Sequence, residues 1–127
     1  MKNLIIKGEA KTPTVEFDYN KGELVISGRS IPENSIEFYK PIIEWLELLK
    51  VSDKDKVVLD IKLEYFNTSS SKCILDVFKK LEEIKAVGKE ATIRWYFEGD
   101  DEDMEEAGQD FSAIIKVPLE LITVDEL

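Results

Sequence analysis

Histidine is absent from the 127 residues, and cysteine occurs once. No apolar run approaches the roughly 20 residues needed to span a membrane. Without imidazole, histidine-carrier phosphotransfer and Ser–His–Asp hydrolysis are excluded, and most zinc sites with them. The lone Cys73 cannot close an internal disulfide, which fits a reducing compartment. The opening segment MKNLIIKGEAKTP holds too short an apolar run for a signal peptide, so a soluble cytoplasmic domain without a membrane partner is expected. No Gly-rich phosphate loop of the Walker or dinucleotide kind occurs. Basic charge is short as well: 17 Lys plus Arg stand against 27 Asp plus Glu, a formal charge of −10. Such a field repels phosphate backbones and anionic membranes, which argues against nucleic acid and lipid surfaces. It suits a basic protein partner, or solubility alone.

What is present is enough for one core: 43% of the residues are hydrophobic, and no repeat or linker divides the chain, so residues 1–127 read as a single domain. NLIIKG is a short strand, and TVEFDY alternates inward Val15 and Phe17 with polar neighbours. The turn NKGE leads into LVISG, a hairpin. A helix follows in PENSIEFYKPIIEWLELLK, with Asn34 and Glu37 spaced as a capping box. Its expected apolar stripe is Ile36, Tyr39, Ile43, Leu46 and Leu49 or Lys50, and Pro41 should kink it or split off its first turn. KVVLDIKLEYF is a central strand. SKCILDVFKKLEEIKAVG is an amphipathic helix with a stripe of Ile74, Leu75, Phe78, Leu81 and Ile84, stopped by Gly88. EATIRWYFEG, a helix interrupted near Gly108, and a last strand in KVPLELITV complete the order βββαβαβαβ. That order implies an α/β fold with a mixed β-sheet and helices packed on at least one face, placed by right-handed crossovers after strands 3, 4 and 5.

The stretch EYFNTSSSK sets four hydroxyl residues, Thr68 to Ser71, directly after the central strand. With the strand ending near Phe66 and the helix starting near Ser70, Asn67–Ser69 is a tight loop at a strand C-terminus, the usual functional edge of an α/β sheet. Capping a helix needs one hydroxyl, worth roughly 0.5–2 kcal/mol, and a turn can use a second. Four exceed that need. The competing reading is a phosphorylation site, where a phosphate would lie over free helix N–H groups at the positive end of the dipole.

Other candidates carry less. The run EGDDEDMEE holds seven carboxylates in residues 98–106, but it lacks the spacing of a calcium loop and suits a solvated helix start or a docking surface for a basic partner. Asp60 and Glu64, four apart on a strand, face one side and are a conceivable acid–base pair. Cys73 lies early in a helix, where a thiol's pKa can fall, although a buried core role is the simpler reading. Trp45, Trp95, Tyr96 and Phe97 read as core or interface aromatics.

The segments TPTVEFDYNKGELVISGRSIPENSIEFYKPIIEWL, LEYFNTSSSK and WYFEGDDEDMEEAGQDF resemble the SiaC-type regulatory phosphoproteins, over essentially the whole chain. The resemblance implies a STAS-like fold, as in anti-sigma-factor antagonists, and a non-enzymatic switch without cofactor or metal. It implies a threonine phosphorylated by an anti-sigma-like serine/threonine kinase (SiaB-like) and dephosphorylated by a PP2C-type phosphatase (SiaA-like). It further implies an unmodified form that binds and activates a GGDEF diguanylate cyclase (SiaD-like), raising cyclic-di-GMP and favouring biofilm. The matching threonine is Thr68, with Asn67, Ser69, Ser70, Ser71 and Lys72 around it; Ser69–Ser71 are expected to cap the helix. Two alternatives stand beside it: an anti-sigma-factor antagonist acting on transcription, and a small metal-dependent enzyme using Asp60, Glu64 or the acidic run.

Overall fold

Period-two burial in the strands and period-3.6 burial in the helices partition the chain as the sequence pattern predicts. The computed structural model describes all residues, 1–127. Its elements are β1 (Leu4–Ile6), β2 (Thr14–Asp18), β3 (Glu23–Ser30), α1 (Ser35–Lys50), β4 (Lys56–Phe66), α2 (Thr68–Ala86), β5 (Glu90–Glu98), α3 (Glu102–Ile114) and β6 (Leu119–Val124). The six strands form one sheet in sequential order, β1 to β6. β1, β2 and β3 are antiparallel neighbours, whereas β3–β4, β4–β5 and β5–β6 are parallel. The β2–β3 hairpin turns through Gly22 at φ 68°, where an added Cβ would lie 2.4 Å from the Lys56 carbonyl oxygen.

One face of the sheet is covered. Leu24, Ile26, Leu59, Ile61, Leu63, Ile93, Trp95 and Phe97 point from it into the core, while Val25, Lys62, Arg94 and Tyr96 on alternate positions keep partial exposure. The helices close over the inward face, and α1 and α2 are also tied across their outer surfaces by Lys50 to Glu83 at 3.0 Å and Lys80 to Glu47. These exposed pairs orient the helices and add little stability. The deeper anchor is aromatic: Phe111 of α3 lies 5.2 Å from Phe78 and 5.5 Å from Trp95, centroid to centroid, and Phe66 joins them. The Trp95 indole N–H donates to the Met104 carbonyl at 2.9 Å, so burial leaves no donor unpaired.

Three local expectations are corrected. The buried face of α1 is Tyr39, Ile42, Trp45, Leu46 and Leu49; Ile36 is 77% exposed and Ile43 only half-buried. The stripe is rotated because Trp45 packs on Phe17 at 5.2 Å and donates to the Lys2 carbonyl. Pro41 does not split off the first turn of α1, since the carbonyl it leaves unpaired is that of Glu37, on the solvent-exposed side. Gly108 does not interrupt α3. It is where the helix meets the sheet most closely, and a Cβ there would lie 2.6 Å from both Trp95 Cδ1 and Leu121 Cδ2.

Gly108→Ala should therefore destabilise the protein by about 1–3 kcal/mol, as overpacking does. Urea unfolding of the variant would show it; an unchanged or raised midpoint would contradict the close packing.

Candidate functional site

The four hydroxyls are not a loop. Helix α2 begins at Thr68, and its N-cap is Asn67, whose Oδ1 accepts the Ser70 N–H at 2.9 Å. The expectation that Ser69–Ser71 cap the helix is thus overturned. An Asx cap two residues earlier draws all four hydroxyls into the first turn, where successive side chains point about 100° apart.

That rotation separates them. Ser70 is fully buried. Its hydroxyl donates to the Ser30 carbonyl at 2.9 Å and accepts from Ser30 Oγ at 2.9 Å. Ser30 Oγ has then spent its proton, so the Tyr39 hydroxyl, 2.7 Å away, must be the donor to it. The chain Tyr39 → Ser30 → Ser70 → Ser30 carbonyl joins α1, the end of β3 and the start of α2, with every buried group satisfied. The backbone adds a bond from the Asn67 N–H to the same Ser30 carbonyl at 3.0 Å. Ser69 is engaged as well: it donates to Asn67 Oδ1 at 3.2 Å and accepts from the Ser35 hydroxyl at 2.7 Å.

Thr68 and Ser71 turn the other way. With Lys72, Phe66 and Leu75 they border a groove of about 430 Å³ between α2 and α3, closed on the far side by Ala107, Asp110, Phe111 and Ile114. Thr68 is exposed and its hydroxyl holds no hydrogen bond within the chain; Lys72, one turn on, is exposed and in no ion pair. Since Asn67 takes the Ser70 N–H and its carbonyl the Ser71 N–H, the N–H groups left free at this helix end are those of Thr68 and Ser69.

Ser30, Ser35 and Tyr39 are the members of this network missed from the sequence. Ser30 carried a legible signal, because it continues the inward alternation of Leu24 and Ile26 with a polar side chain. Burial pushes the Tyr39 hydroxyl up to about 12. Cys73 lies below the same turn, and burial, followed by the charge of Asp76, raises its thiol. It is a core residue and not an activated nucleophile.

The residues of the enzyme alternative do not come together. The Asp60 carboxylate is held by Arg94 in a two-pronged pair, Nε to Oδ1 at 2.6 Å and Nη2 to Oδ2 at 2.8 Å. That hydrogen bond also raises the Arg94 pKa. Glu64 falls at a bulge, since Leu63 pairs with Gly28 and Tyr65 with Arg29, so it is exposed and does not join Asp60. Within the acidic run, Asp101 caps α3 by accepting the Met104 N–H at 3.1 Å, and Glu102, Asp103 and Glu105 occupy its first turn. No three His, Cys, Asp or Glu side chains are grouped to hold a metal ion. No helix is long and apolar enough to cross a membrane. Of the four aromatics, Trp45, Trp95 and Phe97 are core, while Tyr96 lies on the uncovered sheet face with Lys62 4.8 Å above its ring.

Comparison with known proteins agrees with the fold. Residues 6–124 match the family described as SiaC family regulatory phosphoprotein. An uncharacterised protein of Pseudomonas aeruginosa (strain UCBPP-PA14) is 32% identical over 99% of this chain and 100% of its own length. The solved structure of SiaC of Pseudomonas aeruginosa superposes with a TM-score of 0.90 at 31% identity, covering 98% of this chain and 100% of that one. A crystal structure of the diguanylate cyclase SiaD in complex with its activator SiaC, from the same organism, contains a chain that matches with a TM-score of 0.90 at 31% identity, covering 95% and 99%.

The buried hydroxyl chain has a pH signature. A tyrosine with a folded pKa near 12 and an unfolded one near 10 keeps its proton longer in the folded state, so its contribution is complete below pH 10 and falls as pH rises towards 12. Tyr39→Phe should flatten that alkaline decline relative to wild type in urea unfolding at pH 9 to 11.5. Ser70→Ala should cost about 1–3 kcal/mol at neutral pH, by leaving Ser30 without its acceptor. A Ser70→Ala variant as stable as wild type would contradict the network.

Proposed function

The chain belongs to the SiaC family of regulatory phosphoproteins, and from that premise we propose that it is a non-enzymatic phospho-switch: Thr68 is reversibly phosphorylated, and the unmodified form binds and activates a diguanylate cyclase. The observation that carries this reading is the sorting of the four hydroxyls. Ser69 and Ser70 are consumed by structure, Ser71 is half-buried, and Thr68 alone offers an exposed, unengaged hydroxyl to a kinase. The SiaD-activating relative supports the partner class. A SiaB-like serine/threonine kinase would add the phosphate and a SiaA-like PP2C-type phosphatase would remove it, with Asn67, Ser69, Ser71 and Lys72 shaping the surface both enzymes meet; Ser70, expected among them, is fully buried and contributes no surface.

The switch works through charge. A phosphate on Thr68 brings about −1.5 to −2 charges to a site whose free hydroxyl was neutral. Inside the protein it is tolerated, because the free N–H groups of Thr68 and Ser69, the positive end of the α2 dipole and Lys72 all favour an anion there. A partner surface fitted to the neutral threonine must instead bury a dianion it does not pair, which weakens binding.

Incubation with ATP and the cognate kinase should add one phosphate, mapped to Thr68 by peptide mass spectrometry. Thr68→Ala should abolish modification and retain cyclase binding, whereas Thr68→Asp should weaken binding roughly tenfold or more. An Ala variant that is still singly phosphorylated, or phosphate mapped to another residue, would remove Thr68 from the role.

A further inference from the structure

The groove beside Thr68 is lined by two polar side chains that the fold itself does not use. Ser71 is half-buried there, and its hydroxyl bonds nothing within the chain. Lys72 is exposed and forms no ion pair, whereas Lys79 and Lys80 further along α2 both do. The carboxylates beside Lys72 are Asp76, one turn on at the seam with α1, and Asp110 on the α3 wall of the groove. It pairs with neither. Asp76 stands in the less favourable order for a helix pair, cation before anion.

Thr68 stands on the other side of Lys72, in the favourable order. At spacings of three and four residues, Cβ atoms on a helix lie about 5–6 Å apart. Helical side chains also lean towards the N-terminus, so Ser71 and Lys72 reach back over Thr68. Resting on the reading of Thr68 as the acceptor, we propose that Ser71 and Lys72 form an intramolecular clamp for its phosphate. The Ser71 hydroxyl donates to one phosphate oxygen, and the Lys72 ammonium pairs with another. Asp110 repels the dianion from the opposite wall and so favours the same placement along α2. The phosphate is thereby held at the mouth of the α2–α3 groove. A partner then loses a neutral hydroxyl and a free ammonium together, so one modification changes the charge it meets at two adjoining positions.

Phosphorus NMR of the kinase-treated chain, titrated through the second phosphate ionisation at about pH 6, reads the clamp directly. Lys72 favours the dianion, so Lys72→Met should raise the titration midpoint by about half a unit or more above wild type. Lys72→Arg keeps the charge and should stay near wild type. Ser71→Ala should give a smaller rise, through loss of a donor to the dianion. Urea unfolding of unmodified Lys72→Met should match wild type, which separates the clamp from a structural role of the lysine stem. A chain phosphorylated on Thr68 whose titration is unmoved by Lys72→Met overturns the clamp and leaves the switch to repulsion alone. A titration unmoved by Ser71→Ala overturns the serine arm. Absence of phosphate from Thr68 after treatment with an active cognate kinase overturns the acceptor itself, and the clamp with it.

Discussion

A hydroxyl sealed inside a protein must find partners, and the burial of Ser70 organises everything around it. Its two bonds to Ser30 fix the rotation of α2 about its own axis, and with it the direction of every side chain in the first turn. Positions two apart on a helix point about 200° from each other, so an inward Ser70 forces Thr68 outward. Positions three and four apart nearly coincide, so Ser71 and Lys72 share the side of Thr68 and line the same groove. Ser69, between the two directions, turns towards α1 and meets Ser35. One buried contact thereby divides four chemically similar residues into a structural pair and an outward pair. The exposure of Thr68 needs no special arrangement of its own.

This division also keeps the proposed switch from disturbing the fold. A phosphate on Thr68 breaks none of the bonds that hold α2 to β3 and α1, because Thr68 takes part in none of them. The response is then local and electrostatic, read by whatever covers the α2–α3 groove, and no refolding is required. The surroundings fit such a role: Leu75 and the 58% exposed Ile114 line the same groove as Thr68. Apolar side chains held in water beside a neutral hydroxyl make a surface whose affinity for a partner is sensitive to one added charge.

Much of this was legible in the sequence, and the failures have physical causes. The element order followed from where the apolar period changes from two to 3.6, and the stops at Gly22 and Gly88 from their left-handed φ of 68° and 101°. The stripe of α1 was misread because Ile36 and Ile43 obey helical spacing as well as Ile42 and Trp45 do. Only the tertiary position of Phe17 and the Lys2 carbonyl decides which set faces inward. Gly108 was misread as a break, because a glycine chosen for close helix–sheet approach looks the same in sequence as one chosen for flexibility. At the site, the excess of hydroxyls was visible and their assignment was not. The Asn67 cap shifts the helix start by two residues, and the partners Ser30, Ser35 and Tyr39 arrive from distant elements.

The uncovered face of the sheet answers to a different constraint, and it explains why its carboxylate is structural. Helices on one side leave Asp60, Lys62, Arg94 and Tyr96 facing solvent from central strands, where plain apolar residues would form an adhesive patch. Register sets Asp60 directly beside Arg94 across the parallel pair, and their two-pronged bond satisfies a carboxylate that the neighbouring side chains largely bury. The Lys62 ammonium and the Arg94 guanidinium then lie over the Tyr96 ring at 4.8 and 6.0 Å, so the ring face is covered by cations. A carboxylate so engaged has both oxygens tied to one guanidinium and holds two central strands together. On the helix side α2 leaves the hydroxyls of Thr68 and Ser71 unbonded beside the groove, and of the two only Thr68 is exposed.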